Sequence, residues 1–278
     1  MDMIQVAAAL LSAMLHAGWN AAVKASRDPA RAMTAQMVLS AAFTVPGLFW
    51  SGLPASGAWI WIAASTVMNI LTVSALLRAY ELGGFGIVYP IVRALAVLVV
   101  VPLAAGFAGD RLGPAALAGI AVMTLSLAAL AYDAARDRAV TGQALAWTFA
   151  AGLGTGAYIL CDAQGVRAAG SPWAYGFTVA LTNAAAMCWR RRRSGAPWTQ
   201  LGGQWSVGVP TALAAMASYL LILWVWSHAP IAPASALRDT SAIFAILIAV
   251  LWLKEPFTRT RMVAVLLAAS AVPLLRLG

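Results

Sequence analysis

Two arginines stand where arginine is expensive. Arg93 lies in YPIVRALAVLVVV, residues 89–101, with no charged neighbour for eleven residues on either side. Arg238, followed by Asp239, lies in SALRDTSAIFAILIAV, residues 235–250. A guanidinium is always charged, and its planar fork matches a carboxylate. Placing one at the centre of a bilayer costs about 2.5–3.5 kcal/mol on insertion scales, so an intramembrane arginine must be offset by a partner or a function. Two readings follow. In one, the arginines face a polar central cavity and hold an anionic group of a substrate. In the other they are structural, snorkelling or paired, with Asp239 and Asp162 as the available acids. A structural Arg93 needs a fixed acidic partner, and the nearest acid in sequence is Glu81, three turns away.

Other residues could share a site. Tyr89 and Pro90 precede Arg93, and Pro90 removes a backbone donor, so a kink is expected there that could gate a cavity. Trp19 and Asn20 follow His16 by about one turn and form a polar group in an apolar helix. Tyr80, Tyr158 and Tyr219 are candidates to line a cavity, as are Trp61, Trp224 and Trp226. Trp50, Trp59, Trp173, Trp189, Trp198 and Trp205 sit at span ends and suit an interfacial belt. Asp162 in YILCDAQGVR is a candidate proton carrier if embedded, and an interfacial acid paired with Arg167 if not. Asp110 and Glu255 open helices and suit the N-terminal dipole.

These residues are held by an apolar chain. Of 278 residues 62% are hydrophobic and 10% charged, against about 25% charged in a soluble domain. Ten apolar blocks, roughly 3–24, 31–51, 57–79, 84–108, 113–132, 142–162, 172–189, 204–227, 231–253 and 259–276, each approach the ~20 residues that span a bilayer. The fold expected is an all-α polytopic membrane protein of ten transmembrane helices. Block length and the scarcity of alternation argue against a β-barrel. Arg93 then lies about 13 Å into its span at ~1.5 Å per residue, near the midplane, and Arg238 reaches a similar depth from the opposite face.

The net charge of +9 would suggest nucleic acid in a soluble protein. Here thirteen of the eighteen basic residues fall in the loops after odd-numbered spans and three on the other side. The positive-inside rule therefore puts those loops in the cytoplasm and both termini outside. The N-terminus lacks a basic flank and a clear cleavage site, so its first helix reads as retained. Cys161 and Cys188 read as free, small, buried thiols, with no disulfide framework or metal spacing.

The mixed-charge stretch DAARDRAV, residues 133–140, divides the chain after five spans. An odd number of spans per half inverts the second half relative to the first. The expectation is a five-helix repeat over 1–138 and an inverted one over 139–278. The pairs Arg93/Asp110 and Arg238/Glu255 share a spacing of 17 and superpose on a shift of 145. GLGTGA, residues 152–157, matches a dinucleotide fingerprint only formally, since no strand precedes it. Gly152 and Gly156 instead form GxxxG, which lets membrane helices approach closely.

VYPIVRALAVLVVVPLAAGFAGDRL, APASALRDTSAIFAILIAVLWLKEPF and GAYILCDAQGVRAAG resemble the fourth, ninth and sixth helices of EamA-type members of the drug/metabolite transporter superfamily. Leu-Lys-Glu-Pro is the most specific stretch, and Gly-Asp-Arg replaces the family's usual Gly-Glu-Arg. The resemblance implies two inverted five-helix repeats and a secondary transporter of small metabolites, often an exporter. YddG-like amino-acid exporters are one branch. The chain lacks the first-helix glutamate of the small four-helix multidrug relatives, which weakens a polycationic-drug reading.

Arginine with aromatic residues suits an amino acid, aromatic ones included, or a small organic anion. Export of amino acids across a bacterial-type inner membrane by alternating access is the expected function. Export of drugs or toxic compounds is the alternative. A membrane enzyme would need a His, Asp, Glu or Ser cluster, and His16 and His228 lie in different spans. A channel or scaffold gives no reason for paired midplane arginines. No enzyme activity, cofactor, metal or nucleic acid is expected. The expected partners are the substrate and the lipid bilayer, with the monomer as working unit.

Overall fold

The computed structural model describes residues 1–83, 85–107, 109, 112–136, 141–196, 199, 201–251 and 258–277. Asp110, Glu255, Pro256 and Trp198 lie outside the described residues. The helices are α1 (Met3–Ala25), α2 (Pro29–Ser51), α3 (Trp59–Gly83), α4 (Phe85–Phe107), α5 (Pro114–Arg136), α6 (Gly142–Ala168), α7 (Pro172–Arg190), α8 (Trp205–His228), α9 (Ile231–Asp239), α10 (Ser241–Leu251) and α11 (Arg259–Leu277). Short 3₁₀ turns cover Ser56–Ala58 and Arg192–Ser194. Among the described residues each of the ten apolar blocks corresponds to one helix, except the ninth, which α9 and α10 share. The chain is a multi-pass membrane protein.

Local chemistry sets the helix starts. Asp28 accepts from Arg31 N, Thr141 from Ala144 N and Ser171 from Ala174 N, each satisfying a donor that the first turn leaves free. Pro29 and Pro172 take first-turn positions, where a missing N–H costs nothing. Among the described residues nine helical segments have the length and mean hydropathy of a span. The remaining crossing, α7, falls short because it carries Thr178, Thr182 and Asn183.

A break between helical segments falls in the ninth crossing. α4 runs unbroken through Pro90 and Pro102. The ninth crossing ends its first segment at Asp239 and restarts at Ser241. Thr240 Oγ1 donates to Leu237 O at 2.7 Å, and Thr240 N bonds the same carbonyl. Consecutive Asp, Thr and Ser offer the backbone local partners that compete with the helical ladder. Pro230 simply caps the entry to α9.

The closest packing joins helices distant in sequence: α3 on α6, α5 on α11, α1 on α8, α2 on α7, and α4 on α6. Glycines permit part of this. A Cβ on Gly152 would stand 2.6 Å from Leu95 Cβ, and one on Gly156 would stand 2.5 Å from Val99 Cγ1. Both neighbours are on α4, so the GxxxG pair lets α4 and α6 touch. Gly154, between them, faces Thr72 of α3.

The two membrane faces are packed differently. Toward the face holding the α2–α3, α6–α7 and α8–α9 connections, one continuous cluster includes Ala58, Ile62, Val166, Tyr175, Ile222, Leu223 and Trp226. Arg167 straps that face: its Nε and Nη2 donate to Trp226 O at 3.1 Å and Ala229 O at 2.9 Å. Ala55 N also bonds Ala169 O. Toward the arginine-rich face the same cluster continues through Leu130 and Ala264, and two smaller clusters stand apart from it. Val23, Ala32, Met33, Val73, Leu77 and Met187 form one; Ala75, Ala79, Tyr80, Val88, Val92 and Ala151 form the other. A cavity lies between them.

Candidate functional site

The cavity is about 160 Å³, well above the ~10–15 Å³ that one water requires. Eight helices bring polar side chains to it. His16, Trp19 and Asn20 come from α1, and Gln36 and Ser40 from α2. Asn69 and Thr72 come from α3, Tyr89 and Arg93 from α4, and Thr155, Tyr158 and Asp162 from α6. Asn183 comes from α7, Tyr219 from α8 and Arg238 from α9. Both arginines, five of the other expected residues and Asp162 therefore share one space.

Arg93 is 4% exposed and has a fixed acidic partner, Asp239, one of the two acids that the structural reading offered. Its Nη1 donates to Asp239 Oδ1 at 3.0 Å, and its Nη2 meets His16 Nε2. The Tyr89 ring lies 5.2 Å from its Cζ. Glu81, the nearest acid in sequence, is on the surface with Arg78 at 2.6 Å. Arg93 is thus a member of an ion pair that ties α4 to the ninth crossing. Tyr89, whose hydroxyl donates to Ser241 Oγ at 3.0 Å, reinforces the same tie.

Arg238 is 3% exposed and differently placed. Its Nε and Nη1 have no hydrogen-bond partner among the described residues. Its Nη2 lies 3.5 Å from His16 Nδ1. A guanidinium cannot accept, so Arg93 must donate to Nε2, and the imidazole proton sits on Nδ1. The Arg238–His16 contact therefore sets donor against donor. Trp226 supplies a ring 5.6 Å from the Arg238 Cζ, and no carboxylate forms an ion pair with Arg238 among the described residues.

Asp162 is 1% exposed and lies two turns inside α6, because that helix continues to Ala168 rather than ending near 162. It is not an interfacial acid paired with Arg167, which turns to the α8 carbonyls. Ser65 Oγ donates to Asp162 Oδ1 at 2.5 Å and Tyr175 Oη at 3.1 Å, so the carboxylate joins α3, α6 and α7. It is the one acid in the cavity wall among the described residues.

Other expectations find different places. Asn20 lines the cavity and bonds back to His16 O at 2.8 Å, and Trp19 meets His16 edge-on with ring centroids 5.1 Å apart. Tyr158 and Tyr219 line the wall. Tyr80 does not: it packs among α3, α4 and α6, with Lys24 Nζ 5.6 Å from its ring. Trp61, Trp224 and Trp226 are also outside the wall, and Trp226 Nε1 donates to Ser235 Oγ at 3.2 Å. Trp50, Trp59, Trp189 and Trp205 are exposed, as belt residues are. Cys161 and Cys188 are free but only partly buried.

Sequence reasoning missed Asn69, Thr72 and Asn183. Each presents a buried oxygen to the cavity without a hydrogen-bond partner among the described residues. The Tyr219 hydroxyl and the Arg93 Nε are in the same condition. Buried polar atoms are nearly always paired. Several unpaired ones around a single cavity are what a polar occupant would satisfy.

Residues 142–277 match the EamA-like transporter family. A solved structure described only as the crystal structure of a protein superposes with a TM-score of 0.71 at 14% identity. The superposition covers 98% of this chain and 95% of that one, so the two share a fold. Comparison with curated protein sequences gives no significant match.

Proposed function

We propose that the chain is an EamA-type member of the drug/metabolite transporter superfamily, a secondary transporter that exports amino acids, aromatic ones included, across a bacterial-type inner membrane. The observation that carries this reading is the central cavity, where a buried guanidinium without an acceptor and several unpaired polar atoms stand among aromatic rings. Arg238 receives the substrate carboxylate. Trp19, Asn20, Tyr89, Tyr158 and Tyr219 border the rest of it, and Arg93 positions the site by tying α4 to the ninth crossing. Pro90, beside Tyr89, belongs to the same tie as a gating position.

The two halves are related as inverted repeats, with 1–138 as one and 139–278 as the other. The packing supports this. Replacing each crossing by the one five places away turns α3 on α6 into α8 on α1, and α4 on α6 into the ninth crossing on α1; both members of each pair are in contact. The pairs α2–α7 and α5–α11 map onto themselves. Such pairing suits alternating access, in which one half rocks against the other around a midplane site. The two smaller clusters that border the cavity support access from the arginine-rich face, the side that the charge bias puts in the cytoplasm.

Purified protein in liposomes, given a panel of labelled amino acids with and without a pH gradient, tests the reading. Saturable movement of aromatic amino acids is expected. Movement of cationic drugs without any amino acid would overturn it.

A further inference from the structure

Charge bookkeeping in the cavity wall goes further than the substrate class. Arg93 and Asp239 cancel one another at 3.0 Å. That leaves Arg238 and Asp162, one cation and one anion, both nearly fully buried. Each lacks an ion-pair partner among the described residues. Arg238 offers Nε and Nη1. Ser65 and Tyr175 both donate to Asp162 Oδ1, and the carboxylate borders the cavity beside Tyr219. The two groups lie on different helices, α6 and α9, within electrostatic reach of one another. A buried charge removed from water is stable only with a compensating charge or hydrogen bonds.

We infer that Arg238 seats the substrate's carboxylate and Asp162 seats its ammonium group. A zwitterion then enters without changing the net charge of the site. A carboxylate that lacks an ammonium leaves the cavity one negative charge in excess, and it enters only with a proton on Asp162. The proton and the ammonium compete for one carboxylate. This rests on the amino-acid transporter reading and adds the discrimination between amino acids and their deaminated acids.

The groups facing Asp162 agree with this division. α3 presents Ser65, α7 Tyr175, α8 Tyr219 and α9 Arg238, with Cys161 beside it on α6. The α4 arginine is already met by Asp239. Ser65 and Tyr175 donate to Asp162, so the carboxylate is an acceptor, and the Tyr219 hydroxyl stands beside it.

The test is calorimetric binding to the purified full chain in detergent, in two buffers of different ionisation enthalpy at mildly alkaline pH. The ligands are phenylalanine, 3-phenylpropionate and phenylalaninamide. Phenylalanine should bind with no net proton uptake, 3-phenylpropionate with uptake of about one proton, and the amide far more weakly than either. Asp162→Asn should abolish the proton uptake and preserve 3-phenylpropionate binding. It should weaken phenylalanine by roughly 30-fold or more, the scale for truncating one partner of a buried charge pair. Binding of 3-phenylpropionate to the unaltered protein without proton uptake overturns the inference, and that measurement needs no variant to fold. Unchanged phenylalanine binding in a folded Asp162→Asn overturns it as well. If none of the three ligands binds the unaltered protein, the amino-acid reading fails first and the inference falls with it.

Discussion

Arg93 and Arg238 occupy matching places under a shift of 145, yet only Arg93 meets a carboxylate at ion-pair distance. The difference predicts opposite behaviour. Arg93→Ala strands Asp239 in the interior, and breaking a buried pair costs about 3–5 kcal/mol. It should lower the melting temperature and broaden the size-exclusion profile, and adding Asp239→Asn should recover much of the loss. Arg238→Gln removes a charge that has no ion-pair partner among the described residues, so it should fold about as well as the parent while losing carboxylate binding. If Arg93→Ala melts like the parent, the ion pair is not what holds α4 to the ninth crossing. The arginines themselves were legible because a charge in an apolar run is rare. Their division of labour was not, since the partner of Arg93 lies 146 residues away and beside the other arginine. Tyr80 and Tyr89 likewise look alike in sequence, and only the helix face decides which one reaches the cavity. Asn69 and Asn183 escaped notice because a neutral amide within a span is usually read as an interhelical bond. The low hydropathy of α7 was the available signal.

At the scale of elements, α6 is the helix most constrained by its neighbours. Gly156→Leu would drive a side chain into Val99, and overpacking typically costs 1–3 kcal/mol. Gly18→Leu is the control, since a Cβ there meets nothing within 4 Å. Thermal unfolding should separate the two variants, and equal melting temperatures would show that α4 and α6 are not in register as described. Arg167 makes the second test. Its bonds to the carbonyls of Trp226 in α8 and Ala229 just beyond it strap the face that holds the α8–α9 connection. Arg167→Gln should increase labelling of a cysteine introduced at Tyr219 by an impermeant thiol reagent applied from that face. No change in labelling would mean that the strap does not gate access. The ten crossings were readable within a few residues, because length and hydropathy fix a span. The end of α6 was misjudged by six residues, and with it the depth of Asp162. A helix entering a headgroup region need not stop where its apolar run stops. The break at Thr240 was missed because proline draws attention first, whereas here Asp, Thr and Ser carry it.

For the whole molecule, the basic loops set orientation. A C-terminal green fluorescent protein fusion should be dark in bacterial cells, because both termini are expected outside the cytoplasm; bright cells would reverse the orientation and turn the cavity to the other side. The division into halves was suggested by charge and by a resemblance. The helix pairing that supports it is a property of three-dimensional packing that no single stretch displays. The account converges on the central cavity, where the Arg238 guanidinium lacks a carboxylate partner among the described residues, and that is the claim to test. The measurement is uptake of labelled phenylalanine into liposomes holding the parent protein or Arg238→Gln, each checked for a monodisperse elution profile. The account predicts saturable uptake by the parent and background uptake by a well-folded Arg238→Gln. Parental uptake by Arg238→Gln would contradict it.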